Sequence, residues 1–514
     1  VDVGLIGDVV LQNLRVQTPS LSLRVRLYLA LRQAILDGGI RPGTRLPPSR
    51  RLALELALGR NTVLKAYDQL MVEGYLEGRI GDGTYVSETL ALGSVGGARG
   101  GRPAPPERAD ALLSRRGTEL SRLTGSSRVQ HGAFMPGIPD VEHFPFQVWR
   151  RLLGKYIHPR QSHLLQYAVG GYGPLRAALA EYLRSSRMVS CDPRQILIFN
   201  GTHQALDLCA RMLCDTGDRV WMEEPGYWGV RNMLRAAGLE TVPIPLDDKG
   251  IAPTPDDWLD PPKLVFVSPS SQYPTGTVLA LERRLELLEQ ARRNKAWIIE
   301  DDYDNELRYH GNPVASMFGL ASAARVIYLG TFSKVMFPGL RIAYLVVPPQ
   351  LVDGFVVGNT ELYREGRLTD QAALAEFIAE GHFSTHIKRM RGIYRERRDT
   401  LQDALEGRLG GAISRSGGHA GIHLLYHFNA PLDDARVAEQ TLARGVVLRP
   451  LSVYYQRPEL ARPGINLGYA SVPVPRIGPA VEVLTRVVEG QLKGQYSQLQ
   501  EHRPPDLRNS TRSG

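Results

Sequence analysis

Trp297-Ile298-Ile299-Glu300-Asp301-Asp302-Tyr303-Asp304 reads as a short apolar strand running out into acids, and thirty-three residues beyond Asp301 a second apolar run ends in Gly330-Thr331-Phe332-Ser333-Lys334. A carboxylate at a strand end can pair with a pyridinium nitrogen and keep it protonated, and a lysine at a neighbouring strand end can form a Schiff base. A lone lysine more often sits on a surface, and acids in a loop are mostly solvated. It is the pairing of the two strand ends that points to a site. Pro338-Gly339-Leu340-Arg341 follows, and Arg341 with the hydroxyls of Thr331 and Ser333 suits a phosphate.

Outward from this pair, short apolar runs alternate with helical stretches, the pattern of an α/β fold whose mainly parallel sheet is covered by helices. Candidate strands are Ile196 to Phe199, Val220 to Met222, Leu264 to Val267, Trp297 to Ile299, Val326 to Leu329 and Ile342 to Val347. Phe199-Asn200-Gly201-Thr202-His203-Gln204-Ala205-Leu206 passes from strand through a glycine turn into a helix, which offers unpaired amides and a hydroxyl to an anion. Small polar residues cap ordinary helices more often than they bind phosphate, so this element is weak alone. Glu223-Glu224-Pro225-Gly226-Tyr227 can present a ring after a strand for stacking on a flat group, although a core tyrosine is the commoner outcome. From about residue 351 helices dominate, with a strand expected at Gly445 to Leu448, which predicts a smaller α+β C-terminal subdomain.

The N-terminal part follows a different plan. Tyr28, Leu31 and Ile35 share a helix face that stops at Asp37-Gly38-Gly39, and after a proline-rich turn Ser49 is placed to cap a short helix carrying Leu52, Ala53 and Leu56. A third helix follows Gly59 with Val63, Ala66 and Leu70 inward. Tyr75-Leu76 and Thr84-Tyr85-Val86 then read as a hairpin. Three helices and a hairpin make a winged helix-turn-helix, whose Arg60, Asn61, Thr62 and Lys65 have the chemistry to meet DNA, arginine at guanine, asparagine at adenine and lysine at phosphate, while Arg50, Arg51 and Arg79 would contact the backbone. Taken singly, each arginine reads equally well as a solvated surface charge. The ensemble is stronger.

Between about Thr89 and Gln130 the composition turns Gly-, Pro-, Ser- and Arg-rich, the mark of a flexible linker. The expected organisation is therefore a module over 20–88, a linker over 89–130, a large domain over 131–490 and a polar tail over 491–514. A chain of 514 residues with 43% hydrophobic and 22% charged residues is too long for one core and too ordinary for a disordered or fibrous protein. Its net charge of +9 permits nucleic-acid binding without demanding it. No run approaches eighteen apolar residues and Val1 to Leu14 has no signal-peptide pattern, so a soluble, unexported, cytoplasmic protein is expected. Cys191, Cys209 and Cys214 have no zinc spacing and read as reduced packing residues, with no metal expected.

Leu46-Pro47-Pro48-Ser49-Arg50-Arg51-Leu52-Ala53, Arg60-Asn61-Thr62-Val63 and Gly81-Asp82-Gly83-Thr84-Tyr85-Val86 resemble the DNA-binding domain of GntR-type bacterial regulators, with Pro48 where a small polar residue is usual. The strand-end elements in their order resemble the fold-type I aminotransferases. Together, over roughly residues 20 to 490, the chain resembles the MocR (GabR-like) regulators. That resemblance implies pyridoxal 5'-phosphate, with Lys334 as the Schiff-base lysine, Asp301 on the pyridine nitrogen, Tyr303 on the ring hydroxyl and Tyr227 stacking. It assigns the phosphate to Gly201, Thr202, His203, Thr331, Ser333 and Arg341. Tyr167 resembles the tyrosine that reaches a neighbouring subunit's phosphate, which implies a homodimer. Two departures stand out. Gln272-Tyr273-Pro274-Thr275-Gly276 replaces the family's Asn-Pro-x-Gly, and Asn466 in Asn466-Leu467-Gly468-Tyr469-Ala470 occupies the position of the carboxylate-clamping arginine, for which Arg449 or Arg462 are candidate substitutes. A regulator responsive to an amino acid, an amine or the cofactor is therefore expected. The alternatives are a working aminotransferase with an incidental DNA-binding module and a large domain that serves only as a dimerisation scaffold.

Overall fold

Apolar side chains at three- and four-residue spacing build the first of two units into which the chain divides, Val1–Leu112 and Leu113–Gly514. The computed structural model describes residues 3–18, 20–79, 81–88, 112–122, 132–309, 315–320, 325–364 and 366–501. In the first unit α1 (Val3–Val16), α2 (Leu23–Leu36), α3 (Ser49–Glu55) and α4 (Arg60–Val72) precede the hairpin β1 (Leu76–Arg79) and β2 (Gly83–Val86). Leu27, Leu31, Val63, Ala66 and Leu70 are sealed in its core with Ile6 and Val10 of α1. That first helix lies before residue 20, where the sequence reading began the module. Gly4 and Gly7 each cost a helix about 1 kcal/mol relative to alanine and masked its periodicity. Tyr28 packs half-buried against the edge of this core, where Leu27 is the fully sealed residue, and its hydroxyl donates to Glu73, 2.5 Å away. Ser49 does not cap α3. The cap is Pro48, whose fixed φ of −51° and extended ψ of 141° suit the position, and Ser49 is the first helical residue.

The second unit holds an eight-stranded sheet of β3 (Ile196–Phe199), β4 (Arg219–Glu224), β5 (Glu240–Asp247), β6 (Gly250–Ile251), β7 (Leu264–Val267), β8 (Trp297–Asp302), β9 (Val326–Thr331) and β10 (Ala343–Val346). Their order is β3-β10-β9-β8-β7-β4-β5-β6. Pairing is parallel from β9 through to β5 and antiparallel at β3, β10 and β6. Every residue of β3, β7 and β10 is buried, as strands covered on both faces require. The strand β5 was not anticipated, because Pro243 and Pro245 lack donors and weaken its signal.

A smaller four-stranded sheet is made of β11 (Ile413–Ser416), β12 (His423–Phe428), β13 (Arg449–Pro450) and β14 (Gly464–Gly468), in the order β11-β12-β14-β13. The strand expected at Gly445 to Leu448 is displaced. Val446 makes only an isolated bridge to Ala133, and ladder pairing starts at Arg449. Of the expected linker, a helix over Arg115–Arg122 packs against the helix Trp228–Ala236, and 89–111 and 123–130 lie outside the described residues. The last helix, Val474–Glu501, continues past residue 491 into the stretch read as a tail, of which 502–514 lie outside the described residues. Among the described residues no helix is long and apolar enough to cross a membrane.

Candidate functional site

Parallel pairing of β8 with β9 sets Asp301 against Leu329, so the two strand ends singled out in the sequence emerge side by side. Strand alternation sorts the acids. Glu300 and Asp302 share one face and are consumed by structure: Glu300 accepts from the amides of Met317 and Phe318, and Asp302 accepts from Arg187 at 2.9 Å and from Tyr328 at 2.7 Å. Asp301 points the other way, and its buried Oδ1 has no hydrogen-bond partner. Burial, reinforced by the Asp302 charge and opposed by Lys334, pushes the Asp301 carboxyl up to about 7. Lys334 is half-buried, and its Nζ donates to the carbonyl of Gly137 at 3.0 Å. Burial holds this amine below the ordinary lysine range, against the pull of Asp301 and Asp304. Tyr303 lies beside them, and its buried phenol oxygen has no hydrogen-bond partner.

A second cluster forms where β3 and β10 pair, Phe199 against Ala343, which brings Arg341 beside Gly201. Gly201 caps the helix Thr202–Leu213 with φ of +96°. A Cβ there would stand 2.6 Å from the Arg341 guanidinium, so only glycine leaves room. Arg341 donates to the Asn200 carbonyl at 3.0 Å, Thr331 and Ser333 join hydroxyls at 3.1 Å, and the first amides of the helix have no partner within it. His203, held below its usual pKa by burial and the Arg341 charge, faces Tyr227 with ring centroids 6.5 Å apart. Burial pushes the Tyr227 phenol up to about 12. Tyr167 stays outside this buried group and is 77% exposed.

The rim comes from residues the sequence treated as departures or passed over. Gln272 cannot stand in for the family's asparagine, because its amide is spent on the carbonyls of Pro225 at 2.8 Å and Tyr273 at 2.7 Å and on Thr275. Tyr273, the residue before Pro274, has its ring 5.7 Å from Tyr227, 6.1 Å from Tyr303 and 4.9 Å from His423. Its hydroxyl meets that of Tyr454 at 2.9 Å, and Asn466, fully buried, donates to Tyr454 at 3.2 Å. Arg449 pairs directly opposite Asn466, whereas Arg462 acts on Tyr455 and His427. Gly137, Tyr454 and His423 had no distinguishing signal: a Pro-Gly turn, a tyrosine among several and a histidine in an apolar strand.

In the first unit Arg60, Asn61 and Lys65 are exposed on the N-terminal half of α4, and Thr62 is half-buried. Arg50 and Arg51 are exposed on α3, with Arg51 held by Glu55 at 2.9 Å. Arg79 is exposed but already engaged, pairing with Glu77 at 2.9 Å and Glu88 at 3.3 Å and lying 4.3 Å from the Tyr85 ring centre. Arg45, which the sequence reading gave no contact, reaches the hairpin turn at Asp82, 3.7 Å away.

Residues 23–86 match the family of bacterial regulatory proteins of the gntR family, and residues 139–467 match aminotransferase class I and II. The probable rhizopine catabolism regulatory protein MocR of Rhizobium meliloti is 44% identical over 459 residues, covering 87% of this chain and 90% of its own. The pyridoxine biosynthesis transcriptional regulator PdxR of Corynebacterium glutamicum is 31% identical, covering 84% of this chain and 89% of its own. Among solved structures, the kynurenine aminotransferase of Pyrococcus horikoshii in complex with PMP superposes with a TM-score of 0.66 at 26% identity, over 75% of this chain and 97% of that one.

Proposed function

The chain belongs to the MocR-type transcriptional regulators, and on that premise we propose that it senses an amino acid, an amine or the cofactor itself at its aminotransferase-like site and answers by changing how its winged helix holds DNA. The cofactor is pyridoxal 5'-phosphate, and the residues present fit it. Asp301 Oδ1 is a buried acceptor in want of a donor, and the Gly201–Arg341 cradle is open only because glycine has no Cβ. The ring nitrogen would lie on Asp301, the ring hydroxyl on Tyr303, the ring face on Tyr227, and the phosphate among Gly201, Thr202, His203, Thr331, Ser333 and Arg341. Bound there, the group supplies a carbon open to amines and a ring that withdraws electrons.

The protein's part is positioning and proton control. Burial favours the neutral, nucleophilic amine of Lys334. Asp301, once it has a cationic partner, returns to the carboxylate and fixes the proton on the ring. The observation that carries the reading is this pairing of an unsatisfied buried carboxylate with a half-buried lysine beyond adjacent strand ends.

A route to the DNA-binding unit begins at Gly137. Lys334 holds its carbonyl, and upstream of it Phe134 accepts from Gly468 at 2.8 Å and Ala133 from Val447 at 2.9 Å. With Lys334 covalently engaged by the bound cofactor, the Gly137 carbonyl would lose this donor, and an amine that displaces Lys334 would return it. An effector shifts the population by its differential affinity for the two arrangements, without net reaction. Exposed Tyr167 suits a residue shared with a second copy, so the DNA site is expected to be paired or repeated. Work on DNA implies the cytoplasm.

Lys334→Ala should abolish the visible absorption band that borohydride bleaches in the loaded protein. A variant that keeps the band refutes the assignment. With amines and a keto acid, turnover should stay well below about 1 per second, because Asn466 cannot give a substrate carboxylate the paired, charge-assisted hydrogen bonds of an arginine. Sustained faster turnover would make the protein a working aminotransferase.

A further inference from the structure

Side chains on β12 and β14 alternate between two faces of the small sheet. Leu424, Tyr426, Ile465 and Leu467 join the main core, whereas Leu425 joins Tyr454 and Tyr273 on the other face. His423 lies two residues from Leu425, and Asn466 sits directly across from it, so both belong to the face that carries the rim. His423 is 5% exposed and Asn466 0%. His423 Nε2 lies 3.2 Å from the Pro274 carbonyl, which can only accept, so that nitrogen carries the proton and Nδ1 keeps a bare lone pair. Burial holds the ring neutral, its pKa pulled down to about 4, and the nearby Lys334 charge adds to this. Neither His423 Nδ1 nor Asn466 Oδ1 has a hydrogen-bond partner. Native structures leave few buried acceptors without a donor, and these two lie together on the face that carries the rim.

Resting on the reading that Lys334 and its cofactor form the sensing site, we propose that His423, supported by Asn466, determines effector specificity by accepting a hydrogen bond from a hydroxyl or amino group at the far end of an amine. The effector class is then a hydroxylated or polyfunctional amine in preference to an amino acid. A hydroxyl donates to the lone pair of His423 and satisfies a group that folding left unpaired. A carboxylate brings only lone pairs to meet lone pairs, and the position that would carry an arginine to receive it is Asn466. Arg449, opposite Asn466 on the same face, is the group that would argue for a carboxylate, and the experiment separates the two.

The full-length, cofactor-loaded protein is titrated with butylamine, 3-aminopropanol and β-alanine, which share a primary amine on a similar chain and differ at the far end. Affinity is read from the cofactor's absorbance and independently by calorimetry. The amino alcohol should bind about tenfold tighter than butylamine, the scale of one satisfied buried hydrogen bond, with β-alanine weakest. His423→Phe, which keeps a ring against Tyr273, should reduce the alcohol-to-alkyl ratio to within about twofold, and His423→Asn, which restores an acceptor, should recover part of it. The ratio is the score because general damage lowers both affinities together. An unchanged ratio in His423→Phe, or β-alanine binding tightest, overturns the proposal, the latter by giving Arg449 the clamp. If no amine shifts the band of the wild-type protein, the sensing reading itself fails and this one with it.

Discussion

Asparagine in place of Asp301 keeps the shape of the side chain and removes its charge, and the consequence in the cofactor-free protein follows from the direction of its pKa. In the folded chain the carboxyl is pushed up to about 7 by burial and by Asp302, against about 3.9 in the unfolded chain. A raised acid stabilises most below its unfolded value, where both states hold the proton, and that contribution is lost as pH rises through the folded value. At about 1.36 kcal/mol per pH unit the penalty is about 1.5 kcal/mol at pH 5 and approaches about 4 kcal/mol at pH 8. Asp301→Asn should therefore stabilise the cofactor-free protein by an amount that grows over this range. The loaded protein should show the reverse, because the ring nitrogen gives Asp301 the partner that asparagine cannot replace as an ion. Urea unfolding followed by tryptophan fluorescence isolates the effect, since Trp149, Trp221, Trp228, Trp258 and Trp297 all lie in the second unit. A cofactor-free variant no more stable than wild type at pH 8, or an advantage that shrinks as pH rises, would show that Asp301 is not held as a strained buried acid.

Gly201→Ala forces a left-handed φ of +96° on a residue with a Cβ that meets the Arg341 guanidinium at 2.6 Å. A stability loss of about 1–3 kcal/mol is expected, with weaker cofactor binding measured by fluorescence quenching. Ile6→Ala empties a fully buried position between α1 and the rest of the first unit and should cost about 2–5 kcal/mol. Circular dichroism during denaturation checks it, and no change would mean that α1 is not part of the module. Arg60→Ala should cost about 1–3 kcal/mol on the preferred DNA and relax its sequence preference, whereas Arg50→Ala should weaken all sequences alike and flatten the salt dependence. Fluorescence anisotropy with specific and scrambled duplexes distinguishes the two.

Strand ends were legible in the sequence because their chemistry is local. Asp301 and Lys334 each follow an unbroken apolar run, and Gly201 opens a helix, so type and position could both be read. Gly137, Tyr454 and His423 were not legible. They reach the site through long-range pairing, Gly137 from the far side of Lys334 and the other two from the small sheet, and nothing near them in sequence marks the destination. The N-cap of α3 failed for a different reason: Ser49 has the better capping chemistry, but Pro48 already has the backbone geometry the position needs. Arg79 shows the limit of reading charges singly, since Glu77 and Glu88 fold back onto it.

Coupling of an amine-reactive cofactor site to sequence-specific DNA binding in one chain has a consequence that can be measured on DNA itself. The most direct test measures, at physiological salt, the affinity of the loaded protein for the DNA upstream of its own gene and for random DNA, with and without an amine that shifts its spectrum, beside Lys334→Ala. The upstream DNA should be preferred by about a thousandfold or more, a preference altered by the amine in the wild-type protein and unaltered in Lys334→Ala. Equal affinity for both DNAs, or an amine response that survives the loss of Lys334, would contradict this coupling.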